Sequence, residues 1–181
     1  QGFEVNREHF YNYFANLHYE TYDNAYFPSN GVKFHGSYSL NTDNFLEYKD
    51  DTPFSIVSGS FEGVVPITNR FSILPAVHGR LIFGKNIPFS KMNFMGGDIM
   101  ERYLPEQLPF AGTTQVELMD NSLLIGALKL RQRIGNIHYL TFTGNYALSS
   151  HKIKNILREE NMFGCAITYG MDSMFGPLEA T

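Results

Sequence analysis

The chain lacks tryptophan altogether, holds one cysteine, and contains neither a dense run of Lys or Arg nor a long unbroken apolar stretch. Each absence excludes a class. With Cys165 alone there is no internal disulfide framework and no cysteine-based zinc site. No base partner stands near it in sequence, so its expected role is that of a small apolar side chain rather than a nucleophile. No apolar run approaches the ~18 residues of a membrane-spanning helix. That exclusion leaves membrane barrels untouched, because their strands alternate and never look hydrophobic in a window average. A formal net charge of −4 without basic clusters gives no electrostatic reason for nucleic-acid binding. The chain opens at Gln1 without a charged-then-apolar leader, as expected of a processed protein or of a piece of a longer one.

What is present is aromatic and extended. Sixteen Phe and eleven Tyr accompany sixteen scattered Gly, and a hydrophobic content of 43% is too high for a disordered chain. The apolar residues recur with a period of two. Tyr11, Tyr13, Ala15, Leu17 and Tyr19 alternate with Asn12, Asn16, His18 and Glu20. Val32, Phe34, Tyr38 and Leu40 alternate with Lys33, His35, Ser37 and Ser39. Further on, Phe71, Ile73, Val77, Leu81 and Phe83 oppose Ser72, Ala76, His78 and Arg80, and Leu124, Leu128 and Leu130 face away from Lys129 and Arg131. Phe163, Cys165, Ile167, Tyr169 and Met171 form a last such row.

The pattern predicts long strands at roughly 8–22, 31–41, 54–65, 70–84, 122–134, 136–149 and 162–172, with another opening at Gly176. Several match or exceed the ~9–11 residues that a tilted strand needs to cross a bilayer. The joints 23–30, 66–70, 134–136 and 172–176 are short and carry Pro, Gly, Asn or Asp, whereas 42–53, 85–121 and 150–161 are long. Short turns on one side and long loops on the other are the pattern of an outer-membrane barrel. Tyr11, Tyr19 and Tyr146 stand near strand ends, where an interfacial belt would hold them. Charges inside the strands, such as Glu62, Arg80, Lys129 and Arg131, suit a polar lumen and would be costly in a dry core. A soluble antiparallel sandwich or lipocalin-like barrel shares the period, although these strands are long for a sandwich. "HKIKNILREEN" reads as a short helix or a charged loop.

Four stretches carry a resemblance. The turn "DNAYFPSNG", with Asp23, Asn24, Phe27, Pro28 and Gly31, is similar to the Asp-Asn-x-x-Phe-Pro-x-x-Gly turn of sixteen-stranded barrels in the bacterial surface antigen superfamily. In "NFMGGDIMERYLPEQLPFAG", Gly96 and Gly97 precede Arg102 at the spacing found in the long sixth extracellular loop of that superfamily. Tyr103 stands where the superfamily usually has Gly. "GGDIMERYLPEQLPFAG", "LRQRIGNIHYLTFTGNYA" and "YGMDSMFGPLEAT" look like the C-terminal barrel of patatin-like phospholipases from Bacteroides-type bacteria, in which an Arg-Tyr pair is common.

The resemblance implies an all-β transmembrane antiparallel barrel in the bacterial outer membrane, of which residues 1–181 supply about eight C-terminal strands of sixteen. About seven strands before Gln1 and the closing strand would then lie elsewhere. The loop is expected to fold inward, with Arg102 meeting a lumen carboxylate, Glu62 or Glu117 being the candidates. A bidentate Arg–carboxylate pair is planar and strong, suited to pinning a plug. The implied partners are the lipid bilayer, lipopolysaccharide and the remainder of the barrel. The implied function is to anchor or translocate an N-terminal patatin-like lipolytic domain. An assembly or secretion barrel without an enzyme domain, and a soluble all-β binding protein, are the alternatives.

Within the chain itself no enzyme chemistry is expected. A patatin needs a Gly-x-Ser-x-Gly elbow and an Asp partner, and the nearest string, "SGSFEG" around Ser60, reads as a strand with small lumen-facing residues. Gly96 and Gly97 lack the Lys-Ser/Thr of a phosphate-binding loop. His18, His35 and His78 share the polar face of neighbouring strands, but without helical ligand spacing they read as polar lumen packing, so neither metal nor cofactor is expected.

Overall fold

The computed structural model describes residues 11–42, 53–84, 87–97, 107–113 and 117–181. In chain order its strands are β1 (Tyr11–Glu20), β2 (Gly31–Thr42), β3 (Phe54–Pro66), β4 (Phe71–Phe83), β5 (Asn93–Met95), β6 (Gln107–Leu108), β7 (Glu117–Met119), β8 (Ser122–Ile134), β9 (His138–Ser150), β10 (Glu160–Ser173) and β11 (Gly176–Ala180). Eight of them form one sheet in the order β1-β2-β3-β4-β8-β9-β10-β11, and every neighbouring pair is antiparallel. The expected strands are present, the stretch 8–10 lying outside the described residues. β9 starts at His138 rather than 136 because Gly135 (φ +68°) opens the turn that reverses the chain.

Register follows the alternation. His18 faces His35, His35 faces Ser60, Ser60 faces His78, and His78 faces Ile125, so these residues share one side of the sheet. On the opposite side Tyr19, Phe34, Phe61 and Val77 lie in one row. That second side is exposed: Leu128, Phe142, Phe163 and Ile167 all keep 46–71% of their surface open. A soluble protein would bury such a contiguous apolar face. The first side curls around a cavity whose walls come from β2, β3, β4, β8, β9, β10 and β11.

The cavity side of the sheet is less uniformly polar than the alternation suggested. Two apolar clusters lie on it: Phe54, Ile56 and Ile82 with Ile87, and Leu123, Ile125 and Ala147 with Met95, Leu108 and Phe110. The cause is the segment between β4 and β8. Expected to be an irregular loop, it folds back on the wall and builds its own sheet, ordered β6-β5-β7, with β5–β6 parallel and β5–β7 antiparallel. The wall residues Leu123, Ile125 and Ala147 beneath it are therefore apolar although they face inward. The stretch "HKIKNILREEN" holds only a 3-10 turn at Ile153–Asn155, a charged loop rather than a helix.

Candidate functional site

The β1–β2 turn is a rigid unit fixed by two side chains. The Asp23 carboxylate accepts from the Ser29 and Asn30 amides (2.8 and 3.2 Å) and from the Ser29 hydroxyl. Asn24 Oδ1 accepts from the amides of Tyr26 and Phe27 at 2.9 and 3.3 Å. Gly31 leaves the turn at φ +115°, where a Cβ would lie 2.5 Å from the Thr21 carbonyl oxygen, so only glycine fits. The Ser29 hydroxyl foremost, followed by the turn amides, holds the Asp23 carboxyl below its ordinary pKa of 3.8. Burial, reinforced by Glu62 and Glu20, pushes Tyr22 up to about 12, so its phenol stays protonated.

Above the turn lies a cavity of about 400 Å³. Tyr22, Ala25, Tyr26 and Pro28 form one end, and Gly97, Gln107 and Pro109 of the long loop form the other. Its wall carries Lys33, Glu62, Lys129, Arg131 and Glu179 among threonines 141, 143 and 168. Charges of both signs therefore face one polar chamber.

The long loop is anchored at both limbs. At its entry Arg80 Nη1 donates to the Lys91 carbonyl at 3.0 Å and to Asn93 Oδ1, while Asn93 Nδ2 donates to the Asp120 carbonyl at 2.7 Å. In the middle Gly96 and Gly97 have φ of +147° and +64°. The Gly96 amide donates to the Leu108 carbonyl at 3.2 Å, and the Gly96 carbonyl accepts from the Gln107 side chain. On the return Asn145 Nδ2 donates to the Ala111 carbonyl at 2.6 Å. There Gly164 of β10 is indispensable: a Cβ on it would stand 2.2 Å from the Ala111 carbonyl oxygen and 2.6 Å from the Phe110 ring. The loop backbone lies flat on the wall where the wall has no side chain.

One face of the sheet is apolar and exposed, the other lines a polar cavity with described parts of the long loop against it, and a protein-family profile for the OMP85 superfamily matches residues 1–181. The chain belongs to the OMP85 superfamily. No curated protein matches it. Membership in the superfamily is consistent with the outer-membrane location that the sequence resemblance implied.

Of the residues singled out in the sequence of this OMP85-superfamily chain, Asp23, Asn24, Phe27, Pro28 and Gly31 form the turn just described, and Gly96 and Gly97 lie in the inward loop. Glu62 lines the cavity opposite Lys33, and Glu117 lies on β7 opposite Met95. Arg102 and Tyr103, and with them the expected Arg–carboxylate pair, lie outside the described residues. Cys165 is exposed. Ser60 sits in register between His35 and His78. The rings of His18 and His35 are 6.3 Å apart, and no group of three His, Cys, Asp or Glu is assembled among the described residues. Sequence reasoning missed Asn93, Asn145, Gly164 and Gly170. The available signal was glycine at lumen-facing positions of "FGCAITYGM", which a strand tolerates only where something approaches closely.

Proposed function

We propose that this chain is part of the wall of an outer-membrane transport barrel, of the assembly or secretion kind, whose lumen is occupied by its own β4–β8 loop. One observation carries the reading: the apolar row points away from the cavity on successive strands, whereas the charged and hydroxyl-bearing row points into it. Such a surface is stable only against hydrocarbon, with a polar interior supplied by the lumen. Lipid, with lipopolysaccharide among it, is the surrounding medium, and the chain itself does no bond chemistry in this reading. The experiment is flotation. Folded protein refolded with phospholipid vesicles should rise with them through a density gradient and show heat-modifiable gel mobility. A monodisperse protein that stays in the aqueous fraction without detergent would overturn the reading.

A second reading, in which the barrel anchors or translocates a patatin-like lipolytic domain, is supported by the order of "GGDIMERYLPEQLPFAG", "LRQRIGNIHYLTFTGNYA" and "YGMDSMFGPLEAT". A Gly-x-Ser-x-Gly elbow encoded upstream of Gln1 selects it. Soluble periplasmic repeats in that place select the first.

A further inference from the structure

Described residues of the long loop line one end of the cavity, and the β1–β2 turn lines the other. The β1–β2 turn begins at the edge of the sheet, yet its Phe27 is seated on strands near the opposite edge. Its ring stacks on Tyr139 of β9 with centroids 4.3 Å apart and planes 5° from parallel. The Arg131 guanidinium of β8 lies 5.7 Å from the ring centroid, and Arg131 Nη1 donates to the Pro28 carbonyl at 3.2 Å. Gly170 of β10 makes the seat: a Cβ there would stand 2.7 Å from Phe27 Cε1. Phe27 is only 5% exposed despite its place in a turn. Since β1 and β2 are separated from β9 and β10 by β3, β4 and β8, these contacts span the mouth instead of running along the wall.

We propose that the turn, residues 22–31, is a releasable stopper of the lumen, seated through Phe27 and acting independently of the long loop. The inference rests on the reading of the chain as a barrel wall. Three features make the turn a stopper rather than a fixed floor. It is internally rigid, through Asp23 and Asn24, so it moves as one piece. It meets the far wall through the Phe27 ring stack and cation–π contact, the Arg131–Pro28 hydrogen bond and the electrostatic contact of Tyr22 with Arg131, and these can be broken without unpairing a strand. Its residues Tyr22, Ala25, Tyr26 and Pro28 form the end of the chamber, so displacing them opens it. β10 serves both closures. Gly164 receives the loop and Gly170 receives Phe27, six residues and about 20 Å along the same strand, on the same face.

The test uses the full chain with Cys165→Ala and a single reporter, Thr143→Cys. Thr143 is 1% exposed and lines the chamber. In vesicles or micelles a charged, membrane-impermeant maleimide should modify the reporter slowly. Phe27→Ala removes the ring, and Gly170→Ala pushes it out with one methyl group. Each should raise the modification rate about tenfold with no increase over the parent in protease cleavage of the long loop. An unchanged rate in a variant with native heat-modifiable mobility overturns the proposal. So does a rate that rises only together with cleavage of the long loop, because the opening then lies at the loop end. Fast modification of the parent overturns it as well. Failure of the barrel reading shows separately, as protein that does not float with vesicles. If Phe27→Ala does not fold, Gly170→Ala, which leaves the turn sequence intact, decides.

Discussion

At the residue scale the Asp23 carboxylate accepts two amides and a hydroxyl and so fixes the geometry that presents Phe27. The linkage to pH has a definite sign. A carboxyl whose folded pKa lies below its ordinary 3.8 stabilises the folded state above that value, and the contribution is lost as pH falls through the lower, folded value. Asp23→Ala should therefore lower stability by about 1 kcal/mol at neutral pH. The gap between parent and variant should narrow only below pH 3.8, as read by thermal unfolding in detergent from pH 7 down through the lowered, folded value. A gap that does not change with pH would mean that the carboxylate charge is not what holds the turn. The turn was legible in sequence because its constraints are local, with each partner of Asp23 and Asn24 within seven residues. Gly164 and Gly170 were not, because their meaning depends on partners brought in from residues 110–111 and 27.

At the scale of elements, period-two alternation was enough to place the eight wall strands, since one-residue slips would turn every lipid-facing side chain inward. It misjudged the stretch between β4 and β8, where three short strands pair with one another and carry no long alternating run. A sign of that inner layer was nevertheless present in β8. The triplet Leu123-Leu124-Ile125 breaks the alternation, and the structure has Leu123 and Ile125 fully buried under the loop while Leu124 faces out. The orientation of β8 makes a depth-dependent prediction. Leu128, at mid-strand on the outward face, is 48% exposed, and Gln132 lies on the same face near the short turn. Leu128→Arg should cost about 2–4 kcal/mol and Gln132→Arg about 0–1 kcal/mol, measured by urea unfolding in vesicles. Equal costs would contradict a hydrocarbon layer centred on Leu128.

For the whole molecule, the decisive relation is between the wall and what it encloses. The loop's return limb rests on Gly164 with Asn145 beside it, so Gly164→Val inserts a branched side chain where the Ala111 carbonyl now lies. Overpacking of this kind costs roughly 1–3 kcal/mol, and here the loop can escape it by leaving the wall. The expected outcome is a folded barrel whose long loop is cut faster by added protease than in the parent. An unchanged rate of cleavage in the folded variant would show that the loop is held without this contact. The pairing of β4 with β8 also dictates a sequence of events during folding. Neighbours such as β3 and β4 are joined by a few residues and can meet as hairpins, but β4 and β8 meet only after the segment between Phe83 and Ser122 has been looped out, at about 2 kcal/mol more closure entropy. That seam is therefore the late step of zippering, and the insert, tethered at the strand ends Phe83 and Ser122, settles against the inner side through the mouth at its own end.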